Sequence, residues 1–185
     1  MPNSKPAIFL DRDGTLISEA GYLHEPEKVE LIPGAGEAVR RLAQRGFELF
    51  IATNQAGIGY GYYTEEQMHK VNEQVAAEFA KFGVAFRKIY FAPEKPNQPS
   101  RNRKPSAQML LDARDEFGIN LTSSYMVGDK ISDIECGWNA GVKCSVLVRT
   151  GYGRENEQQL SITAGPLTII DSVADLPNLA LGQAK

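Results

Sequence analysis

The chain has 185 residues, 42% of them hydrophobic and 23% charged, an ordinary globular composition with apolar residues enough for one full core. A net charge of −3 and a pI near 5.5 exclude a general attraction to nucleic acid or acidic membrane surfaces, so an anionic ligand has to be met by a local cluster of donors. Cys136 and Cys144 have neither disulfide-framework nor zinc-site spacing and read as buried thiols; with no long apolar run for a signal or spanning segment, a reducing cytoplasm is the expected setting.

Ala7 to Leu10 is a short apolar run ending at acidic residues, as a buried parallel strand does. Ala35, Ala38, Val39, Leu42 and Ala43 mark one face of a helix that stops at Gly46, and Leu49 to Ala52 is the next strand. Thr64 and Gln67 have capping-box spacing, and Met68, Val71, Val75, Phe79 and Phe82 form a single inward stripe before Gly83. Ile89 to Phe91 is a third strand; Ser106 then caps a helix that turns Met109, Leu110, Ala113 and Phe117 inward before Gly118. Tyr125 to Val127 leads to a helix from Ile131 to Ala140, with Trp138 as a packing residue, and Ser145 to Val148 follows. Leu167 to Ile170 is the last strand, with a weak helix after it. Strands alternating with helices of this length predict an α/β, doubly wound, mostly parallel Rossmann-like sheet in a single domain over 1–185. Ile17 to Pro33 and Pro93 to Pro105 read as loops over one edge of it.

In such a sheet ligands bind beyond the carboxyl ends of the strands, and the polar residues collect there. The first strand is followed by Asp11-Arg12-Asp13-Gly14-Thr15-Leu16, and the second by Thr53-Asn54-Gln55-Ala56-Gly57. The third leads to Arg103-Lys104-Pro105, and the fourth to Gly128-Asp129-Lys130 with Asp133 beyond. Phosphoryl transfer needs a metal, an in-line nucleophile, donors for the equatorial oxygens and a proton for the leaving group. Asp11 and Asp129 offer hard oxygen ligands to magnesium, and a carboxylate can attack phosphorus to give an aspartyl-phosphate.

DRDGTL, ATNQAG, RKP and GDKISD, in this order, resemble the motifs of the haloacid dehalogenase superfamily of phosphatases. GYLHEPEKVELIPGA, NQAGIGYGYYTEEQ and RKPSAQML are similar to its histidinol-phosphate and heptose-bisphosphate phosphatase branch. The resemblance implies Asp11 as nucleophile and magnesium ligand, and Asp13 as general acid and base that also binds magnesium through its carbonyl. It implies Thr53 and backbone N–H groups near Asn54 as donors to the phosphoryl group, and Lys104 as the neutralising charge. Asp129 would complete the magnesium shell, Asp133 would orient its neighbours, and Arg103 and Lys130 would contact substrate. Glu19, Ala20, Gly21 and Tyr22 would border the substrate, as would Asn54, Gln55 and Ala56.

The implied substrate is a small phosphorylated metabolite, D-glycero-D-manno-heptose 1,7-bisphosphate, with histidinol phosphate or another sugar phosphate as the alternative. Magnesium is the implied cofactor, and no nucleic-acid or membrane partner is expected. Many heptose-bisphosphate phosphatases carry a zinc loop where this chain has Ala92, Glu94, Ser100 and Asn102, so no zinc is expected and the loop is either shaped by its prolines, Pro93, Pro96, Pro99 and Pro105, or partly mobile. The branch carries little cap, which leaves the site open. A phospho-accepting receiver domain also sets Asp, Thr and Lys at strand ends, but its acidic pair precedes the phospho-acceptor, whereas Asp13 follows Asp11. A binding module without activity has no use for both carboxylates. His24 and His69 carry no catalytic role.

Overall fold

A computed structural model describes residues 4–160, 165–179 and 181. Its sheet is six-stranded and parallel throughout: β1 (Ala7–Leu10), β2 (Glu48–Asn54), β3 (Lys88–Ala92), β4 (Tyr125–Gly128), β5 (Cys144–Val148) and β6 (Leu167–Ile170), in the order β3-β2-β1-β4-β5-β6. The helices are α1 (Ala35–Gln44), α2 (Ala56–Tyr60), α3 (Glu65–Ala80), α4 (Gln108–Phe117), α5 (Ile131–Ala140) and α6 (Gly153–Glu157). No helix among the described residues is long and apolar enough to cross a membrane.

Side chains alternate across each strand, so β1 feeds two cores. Ile8 and Leu10 pack with Val39 and Leu42 of α1, Val71, Val75 and Phe79 of α3, and Val173 and Leu176 near the C-terminus. Ala7 and Phe9 face the opposite side, with Met109, Leu110 and Ala113 of α4 and Cys136 and Ala140 of α5. Phe9 stacks on Phe50 of β2 with ring centroids 5.1 Å apart. All four residues of β1 are fully buried, which fits an interior strand covered on both faces.

The chain runs outward from β1 to β2 and β3, then crosses back to place β4 on the other side of β1. The connections after β1 and β4 therefore leave in opposite directions, opening a crevice at their carboxyl ends. Leu10 pairs with Ile51 and with Val127, so Asp11, Thr53 and Asp129 emerge side by side.

Several local expectations are corrected. Phe82 lies beyond the end of α3, is exposed, and covers Gly36 of α1 instead of entering the core. Ser106 stands one residue before the N-cap of α4, which is Ala107; its hydroxyl accepts from Gln108 N at 3.2 Å and donates to the Arg101 carbonyl at 2.8 Å. Cys136 is buried and its thiol is pushed up to about 12 by that burial, but Cys144, at the start of β5, is half-buried. Trp138 is also half-buried, its Nε1 donating to the Pro166 carbonyl at 2.9 Å. The helix after β6 is a 3-10 stretch over Val173–Asn178. The loop from Ile17 to Pro33 is tied down by an antiparallel bridge between Ile17 and Leu31 and by buried Leu23 and Ile32.

Candidate active site

Asp11 leaves β1 with its N–H still bonded to the Val127 carbonyl at 2.8 Å, so the sheet sets its direction. Asp129 follows β4, and Asp133 lies in the first turn of α5, where its carboxylate accepts from Lys130 N at 3.0 Å. Oxygens of these three buried carboxylates come within 4.8 Å of one another. Lys104 reaches among them: its Nζ lies 2.7 Å from Asp11 Oδ1, 2.6 Å from Asp133 Oδ1 and 2.6 Å from the Ala52 carbonyl. Burial alone would lower its pKa, but the charges of Asp11 and Asp133 outweigh burial and raise it, so the ammonium is held charged.

Asp129 lacks such a partner. Its Oδ2 accepts from Tyr152 N at 2.9 Å, while its Oδ1 is buried with no donor among the described residues. Burial first, and then the charges of Asp11 and Asp133, push its carboxyl up to about 8. A buried carboxylate oxygen without a donor, beside two further carboxylates, is the donor set of a hard divalent cation, and magnesium fits it. Gly14 packs against this carboxylate with φ +82°, and a Cβ there would run into Asp129 Oδ2, so both backbone conformation and space demand glycine.

A second network orients Asp13. Arg12, 1% exposed, donates from Nε and Nη2 to the Asp13 carboxylate, from Nη1 to Asn72 Oδ1 at 2.7 Å, and from Nη2 to Gln55 Oε1 at 2.9 Å. Gln55 spends its whole amide here: Nε2 donates to Asp13 Oδ2 and Thr53 Oγ1, and Oε1 accepts from Arg12 and from Tyr63 OH at 2.7 Å. Thr53 Oγ1 thus receives a hydrogen bond, which leaves its own proton to be given to a ligand. Asn54 clamps the backbone of Lys104, accepting from its N–H at 3.0 Å and donating to its carbonyl at 3.1 Å. These residues fix the machinery; of them Asn72 lies outside the sequence motifs, and Tyr63 lies within one of them but had no role assigned. Asn72 is the polar interruption in the apolar face of α3, and Arg12 sits between two acids at a buried strand end, which were the available signals.

A cleft of about 370 Å³ opens beside this centre. Glu19, Gly21, Tyr22 and Ala56 line it, as do Arg103 and Lys130, together with Asn54 and Gln55. Ala20 does not: Gly21 N–H folds back onto Glu19 Oε1 at 2.9 Å, and this turn leaves Ala20 exposed. A small chamber of about 20 Å³, bordered by Asp11, Thr53, Lys104 and Asp133, adjoins the cleft through shared Asp13, Asn54, Lys130 and Ser132. Lys130 Nζ lies 3.3 Å from Glu19 Oε2 and 4.8 Å over the Tyr152 ring. Burial would lower its pKa, but the surrounding carboxylates, Asp11 and Asp129 foremost, raise it. Tyr60, Ser132 and Tyr152 are lining residues that the motifs did not single out. His24 stacks on Tyr63, and His69 lies on the exposed face of α3.

The geometry has counterparts among known proteins. A family model described as HAD-hydrolase-like matches residues 101–176. The chain is 41% identical to a D-glycero-β-D-manno-heptose-1,7-bisphosphate 7-phosphatase of Yersinia pestis, over the full length of both. It is 40% identical to the protein of that name in Escherichia coli K12, covering 100% of this chain and 98% of the relative. Among solved structures it resembles a D,D-heptose 1,7-bisphosphate phosphatase from B. bronchiseptica in complex with magnesium and phosphate. That match has a TM-score of 0.86 at 26% identity, over 94% of this chain and 96% of the other.

Proposed function

The chain belongs to the haloacid dehalogenase-like hydrolases, in the branch of the heptose-bisphosphate phosphatases, and from that premise we propose that it hydrolyses D-glycero-D-manno-heptose 1,7-bisphosphate through an aspartyl-phosphate on Asp11. Phosphatase activity follows from the family; the substrate and the residue roles are our reading, as is the action of residues 1–185 as a single phosphatase domain. The observation that carries it is the cluster of Asp11, Asp129 and Asp133, two of them paired with Lys104, at a strand-end crevice that opens into a cleft lined by Glu19, Arg103 and Lys130.

Asp11 and Asp129, with the Asp13 carbonyl, would hold magnesium, which when bound neutralises phosphate oxygens and polarises the phosphorus. Asp11 attacks phosphorus, forming a carboxylate–phosphorus bond as the ester oxygen departs. Asp13 in its protonated form gives that oxygen its proton, and Arg12 and Gln55 hold the carboxylate that results. It then takes a proton from water, which attacks phosphorus, breaks the acyl-phosphate and returns the Asp11 carboxylate with inorganic phosphate. Thr53 gives its hydroxyl proton to an equatorial oxygen, and Lys104 stabilises the charge that joins Asp11 to the phosphoryl group.

Arg103 and Lys130 supply positive charge along the cleft, and Glu19 supplies a hydroxyl acceptor, which suits a polyhydroxyl chain ending in a second phosphate. The test is a screen of phosphorylated metabolites with magnesium, including both anomers of the heptose bisphosphate and histidinol phosphate. The highest kcat/KM is expected on a heptose bisphosphate. A preference for histidinol phosphate or a monophosphate would refute the substrate assignment while leaving the chemistry standing.

A further inference from the structure

Arg103 sits at the end of a loop, residues 93–105, that contains no helix or strand, yet it lines the cleft, its charge within reach of Tyr60 and Tyr22. Hydrogen bonds close that loop on itself. Ser100 Oγ donates to Glu94 Oε2 at 2.7 Å and accepts from the Arg103 backbone N–H at 2.9 Å, while Arg103 Nη1 donates to the Glu94 carbonyl at 2.8 Å. The ring thus runs from Glu94 through Ser100 to Arg103 and back. Its surroundings are anchored: Gly59 N–H of α2 donates to the Pro93 carbonyl at 2.9 Å, and Asn54 clamps the Lys104 backbone.

We propose that Glu94 and Ser100 are positioning residues, which fix the Arg103 side chain in the cleft and thereby set the preference for substrates with a distal anionic group. This rests on the reading of Arg103 as a substrate contact given above. An arginine has many rotamers, and ordering them before the substrate arrives removes that cost from binding. The guanidinium carries five N–H donors, of which the Glu94 carbonyl takes one, so the others remain for a ligand. Ser100 is the pivot because its one hydroxyl both donates and accepts. Threonine can repeat that; alanine can do neither.

The experiment compares Ser100→Ala, Ser100→Thr, Arg103→Ala and the Ser100→Ala/Arg103→Ala double variant with the wild type. Kinetics on the heptose bisphosphate and on p-nitrophenyl phosphate are combined with hydrogen exchange at the Arg103 amide. Ser100→Ala is expected to raise the bisphosphate KM about tenfold, as loss of one charge-assisted contact does, with kcat within about twofold. Its kinetics on the aryl phosphate should be unchanged, the Arg103 amide should lose protection, and Ser100→Thr should restore both. In the Arg103→Ala background, Ser100→Ala should add nothing. An Arg103 amide equally protected in Ser100→Ala, or KM losses that multiply in the double variant, would overturn the proposal. If Arg103→Ala itself leaves the bisphosphate KM unchanged, the reading of Arg103 as a substrate contact falls, and amide exchange alone decides whether Ser100 holds Arg103.

Discussion

Replacing Asp129 by asparagine is expected to stabilise the metal-free protein while destroying its activity. Two carboxylate charges 4.8 Å apart repel by about 3.5 kcal/mol at an effective dielectric constant near 20, and Asp129 faces two such neighbours. Lys104 is bonded to Asp11 and Asp133, not to Asp129. The folded protein therefore raises the Asp129 pKa from 3.8 to about 8, with burial as the largest cause. Because the folded value lies above the unfolded one, the folded metal-free state binds the extra proton. Its stability is fully present below the unfolded value and is lost as pH rises through the folded one. Asparagine keeps the acceptor for Tyr152 N–H but carries no charge. Its buried amide lacks an assured acceptor, which offsets the gain by about 1–3 kcal/mol. Lys104 on Asp11 and Asp133, and Lys130 facing Asp129, cancel much of the repulsion, so the net expectation near pH 8.5 in EDTA is a gain of about 1–3 kcal/mol, or roughly 2–12 °C in Tm for a chain of this size. Near pH 5, where wild-type Asp129 is protonated, the order should reverse. Magnesium should raise the Tm of the wild type and leave the variant almost unmoved, while turnover falls by about a thousandfold or more. A variant that melts below the wild type near pH 8.5 in EDTA, or that gains as much from magnesium, would refute the reasoning.

Asp13→Asn should lower kcat by about 10²–10⁴ through lost proton transfer, and should also lower Tm, because it leaves the buried Arg12 guanidinium without its counter-ion; a rate near wild type would require another acid. Lys104→Ala should lower kcat on every substrate, and in denaturant unfolding it should cost about 3–5 kcal/mol, because it leaves Asp11 and Asp133 buried without their cation. A loss confined to KM would contradict its placement at the reacting centre. Arg12→Lys should cost about 2–4 kcal/mol in stability, since one ammonium cannot serve Asp13, Asn72 and Gln55 together. An unchanged Tm would show that the Asp13 network is not held by the guanidinium.

The alternating strands and helices were legible because each element carries a local signature. Examples are Thr64 with Gln67 at the start of α3 and the apolar run of β1 between polar residues. The meeting of Asp11, Thr53, Lys104 and Asp129 was legible too, because parallel strands deliver their carboxyl ends to one crevice. Details set by tertiary contact were not. The resemblance implied that Asp133 orients its neighbours, but its pairing with the active-site lysine was not legible, because only the folding of the Lys104 loop across β2 brings the two together. The short α2 has two glycines in five residues and no helical signature. Phe82 keeps the spacing of the α3 stripe, but the helix ends at Ala80 and the chain carries it outward. The Glu94–Ser100 bond within the loop links residues whose types alone suggest no pairing.

The most direct test of the account is to look for the covalent intermediate. Wild-type protein, magnesium and the heptose bisphosphate are mixed, quenched in acid within the first turnover, digested and analysed by mass spectrometry. The account predicts that the peptide containing Asp11 gains the mass of one phosphoryl group, that fragmentation places it on Asp11, and that Asp11→Asn shows neither the adduct nor turnover. Rapid phosphate release with the Asp11 peptide unmodified, or sustained multiple turnover by Asp11→Asn, would contradict it.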